Sequence, residues 1–194
     1  KSNVMLLVVG IMVGYIASSV ISLLNFYATE SGVVSFVMWG MGDFSGVSNR
    51  NLLYFVIFIL SGLFISVMLI KPLNALLLGE RYSRNLGVSL TRARIIILLV
   101  TGLLTAIVTA FCGPVSFIGL AVPHIARLLL GSSNHRQLLP VTVLLGAVVS
   151  LLCNLLTVVI GKGTVIPLNV ITPLMGAPVI IYVIVNKKKI AYFN

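Results

Sequence analysis

The chain has 194 residues, 59% of them hydrophobic and 8% charged, with a mean hydropathy of +1.19. A soluble domain carries about a quarter charged residues, so this composition excludes one and points to an all-α, polytopic membrane protein. At about 20 apolar residues per crossing, the length holds roughly six spans and no separate soluble domain.

The net charge of +10 does not imply a nucleic-acid partner, because the basic residues lie scattered between apolar runs and form no stripe on one face. Cys112 and Cys153 sit in apolar context without metal-ligand spacing and read as small buried side chains. The chain opens Lys1-Ser2-Asn3, with neither an initiator Met nor a signal peptide, and is expected to be a fragment of a longer polytopic chain.

The first expected span is Val4 to Leu24. Gly10, Gly14, Ser18 and Ser22 recur along it every fourth residue, which makes one face small from end to end. Lipid offers helices no hydrophobic reason to associate, so such a face marks close helix packing or, in a transporter, the lining of a pathway. Asn25 to Asn51 reads as a long polar-aromatic loop holding Glu30, Trp39, Asp43 and Arg50, with room for a short interfacial helix over Val33–Trp39. Gly40-Met41-Gly42-Asp43 fits the short GxGD pattern of intramembrane aspartyl proteases. Asp43 lies in a loop, however, and no apolar run supplies a second Asp, so the stretch reads as solvated loop.

Leu52 to Ile70 is the second expected span, stopping at Lys71-Pro72, where Pro disfavours helix and Lys anchors the headgroup level. Beyond it Lys71, Arg81, Arg84, Arg92 and Arg94 surround a single acid, Glu80. Gly79 to Gly87 reads as a short amphipathic helix with Gly87 as its cap, either a basic interfacial helix or a docking helix for a cytosolic partner.

Ile95 to Cys112 is the third span and Pro114 to Leu130 the fourth, which measures about 26 Å if fully helical and is expected to start irregularly or kink. The fourth belongs to the stretch that organises the chain, Gly113 to Pro140, GPVSFIGLAVPHIARLLLGSSNHRQLLP. A break is expected at Pro123, and His124 and Arg127 follow one turn apart. After the polar turn Gly131-Ser132-Ser133-Asn134, His135 and Arg136 open the next apolar run. Two His-Arg pairs in a chain so poor in charge mark a surface where the protein meets something outside the membrane. His124, with no acid nearby, reads as a structural histidine and not as a metal or substrate ligand. Leu138 to Ile160 is the fifth span. Gly161 to Thr164 forms a turn, and Val165 to Val185 is the sixth span, interrupted by Pro167, Pro173 and Pro178 and ended by Lys187-Lys188-Lys189.

Six spans place both ends on one side. That side holds Lys1, the five basic residues from Lys71 to Arg94, Arg127, Arg136 and the three terminal lysines, 11 of the 13 in the chain. The far side keeps Arg50 and Lys162. By the positive-inside rule the crowded side is cytoplasmic.

None of Glu30, Asp43 and Glu80 falls within an apolar span, whereas ion-coupled carriers need intramembrane ionisable groups for their relays. A secondary carrier for a metal or small metabolite is therefore the weaker alternative. The chain contains no HExxH, no P-loop and no nucleophile elbow, so no catalytic residue, metal site or enzyme is expected.

GPVSFIGLAVPHIARLLLG, continued by His135-Arg136 and Leu138-Leu139-Pro140, resembles the permease subunit of ABC importers for iron-siderophores, haem and cobalamin. That family carries a G-x-x-x-FIGL-x-x-PH-x-x-R motif and an HR-x-LLP continuation. Gly79-Glu80 with Leu86-Gly87 resembles its cytoplasmic coupling segment, here residues 73–92, with Ser83 where a small Ala is usual. Met175-Gly176-Ala177-Pro178 resembles its last helix. The resemblance covers the whole chain, as a single permease domain matching the C-terminal six of the family's ten spans.

The resemblance implies a bacterial inner-membrane homodimer bound to two cytosolic ATPase subunits and fed by an extracytoplasmic substrate-binding protein. ATP and Mg would belong to the ATPase, and this chain would bind no cofactor itself. Coupling helices at about Leu77 to Leu90 would transmit ATPase closure to an alternating pore, with Gly10, Gly14, Ser18 and Ser22 on a helix that lines the path. Pro123, His124, Arg127, His135 and Arg136 would form the cytoplasmic floor beside the coupling segment. Two departures stand out. Asn154 and Val158 replace the family's Asp and Arg near the outer end of the fifth span seen here, and its Glu-x-Pro-x-Gly becomes Val165-Ile166-Pro167-Leu168-Asn169. The family's Arg pairs with the binding protein, so Lys162 or Arg50 would have to supply that docking cation here.

Overall fold

In a computed structural model, residues 3–85, 87, 89–161 and 166–185 are described, and among them helices account for nearly all of the backbone with no strand. They gather into two compact units, Lys1–Gly40 and Met41–Asn194, each taken here by itself. The first contains α1 (Asn3–Tyr27) and α2 (Glu30–Gly40). The expected loop after the first span is thus largely helical. Thr29 starts α2 by accepting the Gly32 N–H on its hydroxyl at 3.3 Å, and Glu30 places a carboxylate at the positive end of the helix.

The second unit opens with a 3-10 turn, Phe44–Gly46, whose start is capped by Asp43: its exposed carboxylate accepts the Ser45 N–H at 2.9 Å and also binds the Ser45 hydroxyl. Next come α3 (Asn49–Met68), α4 (Ile70–Leu77), α5 (Glu80–Asn85), α6 (Leu90–Cys112), α7 (Ile118–Leu130), α8 (His135–Gly161) and α9 (Leu168–Val185). Lys71-Pro72 does not stop the second span. The break comes earlier, at Leu69, and Pro72 falls in the first turn of α4, where its missing N–H would have had no helical partner anyway. Pro123 does not break α7 either; the helix runs through it. The irregularity sits instead at the entry, residues 113–117, leaving α7 with 13 residues, about 20 Å.

Among the described residues four helices are long and apolar enough to cross a membrane, over Leu7–Tyr27, Asn49–Met68, Leu90–Cys112 and His135–Gly161, and Ile118–Leu130 and Leu168–Val183 are shorter apolar helices. Within the second unit α3 lies along α6, while α7, α8 and α9 pack on one another. The α3–α6 approach is close because position 62 is Gly: a Cβ there would lie 2.5 Å from Leu104 Cδ2. Phe55 and Phe111 meet edge to face across the same seam. Between α8 and α9 the core is Cys153, Leu168 and Ile171, with Phe44, Val149 and Leu156 around it. Cys112 and Cys153 are both buried and free, as the apolar context predicts. Many large apolar side chains, among them Leu98, Leu144, Leu151 and Leu174, stay exposed, as suits helices solvated by lipid. The protein is an all-α polytopic membrane protein.

The irregular entry to α7 is held from α9. Asn169 donates from Nδ2 to the Pro114 carbonyl at 2.7 Å and accepts the Ser116 N–H on Oδ1 at 3.1 Å. The first N–H groups of α9 find carbonyls in the loop before the 3-10 turn: Leu168 N donates to Gly42 O at 3.2 Å and Asn169 N to Met41 O at 3.1 Å. Asp43 N closes the ring onto Cys112 O at 2.9 Å. Phe117 then turns the chain with a φ of 68°, an unusual conformation for an aromatic residue. It is held there by packing on Gly176 of α9, where an added Cβ would lie 2.7 Å from Phe117 Cβ. The sequence fragments FIGL and MGAP therefore meet in space, because residue 176 has no side chain. Replacing Asn169 with Ala removes the side-chain partners of a donor and an acceptor of the 113–117 segment and is expected to cost about 0.5–1.5 kcal/mol. Asn169→Asp is expected to be no milder, since it sets a carboxylate oxygen against the Pro114 carbonyl. Thermal melts of the detergent-solubilised protein check both; an unchanged midpoint for Asn169→Ala would contradict the node.

Candidate functional site

The segment expected to couple to an ATPase contains two short helices, α4 and α5, meeting at a tight turn. α4 ends as Leu78 and Gly79 donate to the carbonyls of Ala75 and Leu76, and Gly79 takes a φ of 95° that redirects the chain. α5 starts at Glu80, and Gly87, with a φ of 79°, closes it by donating to Arg84 O at 3.0 Å. Leu86 lies outside the described residues. Ser83 is fully buried between the two helices, with its hydroxyl 2.7 Å from Ala75 O and 2.9 Å from Gly79 O. A methyl group at this position would fill the same space but could not donate. Ser83 thus bolts α5 onto the last turn of α4.

The organising stretch closes on the other side of α4. α7 ends with Gly131 in the left-handed conformation, its N–H on Arg127 O at 2.9 Å, and Arg127 in its last turn adds a positive charge at the negative end of the helix. The intervening turn is local: Asn134 N donates to Ser132 Oγ, while the Asn134 backbone carbonyl accepts Gln137 and Leu138 and starts α8. His135 is half-buried at the first position of α8, and Arg136 is exposed. Arg127 and Arg136 are therefore brought to one turn, beside α4.

His124 lies one turn from Arg127, and both are exposed. Its Nδ1 is 2.7 Å from the Leu120 carbonyl. A carbonyl can only accept, so Nδ1 carries the hydrogen and the ring is tied to its own helix, one turn back, immediately beside Pro123. Among the described residues no three His, Cys, Asp or Glu side chains gather as a metal ion would require.

Within the first unit, Ser22 Oγ donates to Ser18 O at 2.9 Å and Ser19 Oγ to Tyr15 O at 2.9 Å, so these hydroxyls are spent inside α1. A Cβ on Gly10 or Gly14 would meet nothing within 4 Å. The small face is open in its own unit and free to receive another helix or border a path. Arg50 is exposed in the first turn of α3, and Lys162 lies outside the described residues.

Two residues escaped the sequence reading, Asn74 and Asn134. Asn74 Oδ1 accepts both the His135 backbone N–H and His135 Nδ1, each at 2.8 Å, and Asn74 Nδ2 donates to Asn134 Oδ1 at 2.8 Å. Asn134 Oδ1 also accepts the Arg136 N–H at 3.0 Å. The signal available was weak: a lone Asn inside an amphipathic run and a second in a turn, where Asn is common for local reasons.

The model of the FecCD transport family matches residues 1–186. The vitamin B12 import system permease protein BtuC of Citrobacter koseri is 33% identical over 184 residues, 95% of this chain and 55% of that protein. BtuC of Photorhabdus laumondii is 34% identical over 189 residues, with the same shares covered. The molybdate import system permease protein MolB of Haemophilus influenzae is 34% identical over 179 residues, 92% of this chain and 52% of that protein. The chain spans about half the length of the curated relatives it matches. With the α7 motif, the α4–α5 turn and the FIGL–MGAP contact all falling within the matched region, the chain belongs to the FecCD transport family.

Proposed function

We propose that the chain serves in the permease subunit of an ATP-driven importer of the bacterial inner membrane. It would act by alternating access, coupled to separate ATPase subunits that hold the ATP and Mg. The match to the FecCD transport family over residues 1–186 carries this reading, since the relatives named above are import-system permeases. The bolted α4–α5 turn supports it. A compact pair of helices carrying Arg84, fixed to the bundle through α4, suits a lever on which a cytosolic partner presses. The partners are a second permease copy, two ATPase subunits and an extracytoplasmic binding protein, with lipid around the bundle. Iron chelate, haem and cobalamin are the cargo classes in view, and the MolB relative adds molybdate. The permease itself carries out no hydrolysis.

The test is uptake into vesicles holding the full-length permease with its ATPase, supplied with the binding protein. Accumulation is expected to require internal ATP and the ATPase; accumulation driven by an ion gradient alone would falsify the reading. Offering the binding protein cobalamin, haem, a ferric chelate and molybdate separately identifies the cargo by what it retains. A second prediction concerns docking, assigned to Lys162, with Arg50 as the other cation expected on the outer side. Lys162→Glu is expected to weaken binding-protein association about fivefold at low salt, with the difference shrinking as salt rises. Equal affinities at low salt would remove Lys162 from the docking surface.

A further inference from the structure

We propose that Asn74 is a positioning residue for import, the clamp that passes movement of the α4–α5 segment to the facing ends of α7 and α8. The inference rests on the permease reading above and assigns a part of its coupling to one side chain.

The carboxamide of Asn74 is oriented by two independent constraints. The backbone N–H of His135 can only donate, so the Asn74 atom 2.8 Å from it must be the oxygen. Asn134 Oδ1 already accepts the Arg136 N–H, so the Asn74 atom facing it must be the amide nitrogen. Both constraints select the same orientation. His135 Nδ1 donates to that same oxygen, so the ring is fixed as well. Asn74 thus holds three bonds to residues 60 and 61 positions away, at the turn where α7 gives way to α8.

The next residue along α4 completes the connection. Ala75 is buried, and its carbonyl accepts the Ser83 hydroxyl of α5. Adjacent residues of one helix therefore bind α5, through the Ala75 carbonyl, and the α7–α8 turn, through the Asn74 side chain. A push on α5 reaches α4 through Ser83 and leaves it through Asn74. An apolar residue at position 74 would let α4 slide against α8, because dispersion contacts are non-directional and hydrogen bonds are not.

The experiment uses the full-length permease assembled with its ATPase and binding protein, and reads cargo moved per ATP hydrolysed. Asn74→Ala is expected to co-purify with the ATPase and to hydrolyse ATP, yet to move about tenfold less cargo per ATP. Asn74→Asp keeps the acceptor for His135 but presents an oxygen to Asn134 Oδ1, and is expected to lose coupling as well. Adding Asn134→Ala to Asn74→Ala is expected to cause no further loss, since both remove the same clamp. A wild-type ratio in Asn74→Ala and Asn74→Asp overturns the proposal, as does a transport loss matched by an equal loss of ATP hydrolysis in the assembled complex. Should Asn74→Ala fail to assemble, Asn74→Asp decides by the same ratio. The unsubstituted complex separates the two ideas: if it imports with ATP while the variants keep its ratio, the clamp fails and the permease reading stands, whereas no ATP-dependent import defeats that reading itself.

Discussion

Inside hydrocarbon, a peptide N–H or C=O without a partner costs several kcal/mol, and helices are how this chain meets that demand. The demand is hardest where helices stop, because four donors or four acceptors at each end lose their intrahelical partners. In the second unit these ends are tied to one another. Carbonyls of Met41 and Gly42 receive the first N–H groups of α9, Cys112 O receives Asp43 N, and the Asn169 amide satisfies both senses of the irregular stretch before α7. At the opposite turn the Asn74 and Asn134 amides do the same for the start of α8. Asparagine suits both places because one short side chain offers a donor and an acceptor without a charge that would have to be neutralised.

That constraint also explains why proline is tolerated where it first reads as a stop. Pro72 sits in an opening turn, where no bond is lost. Pro123 and Pro140 lie inside helices, as do Pro173 and Pro178 in α9. Transmembrane helices accept such residues when a neighbouring group supplies the missing hydrogen bond or covers the freed carbonyl. His124, next to Pro123, adds a side-chain donor to the Leu120 carbonyl. The histidine that reads as structural in the sequence is bound to its own helix.

Much of the architecture was legible from hydropathy, because a span must be apolar over a length set by the bilayer. The third and fifth spans came out within a few residues of α6 and α8. The α2 helix was legible only in part, over Val33–Trp39, since its first turn is polar and owes its start to Thr29 and Glu30. The buried position of Ser83 was not legible at all. A serine in a basic, polar run looks solvated, and only the fold of α5 back onto α4 encloses it.

What the sequence determined by itself was the class of molecule, the apolar runs that become its long helices, and the family motif. Each of these is carried by composition or by residues close together in the chain. Tertiary structure alone decided that FIGL meets MGAP through Phe117 and Gly176, that Asn169 holds the entry of α7, and that Asn74 joins α4 to the α7–α8 turn. Those contacts unite residues more than 50 positions apart. Hydrogen-bond capacity can be read from an amino acid's name, whereas the partner that fills it is set by where the packed helices end.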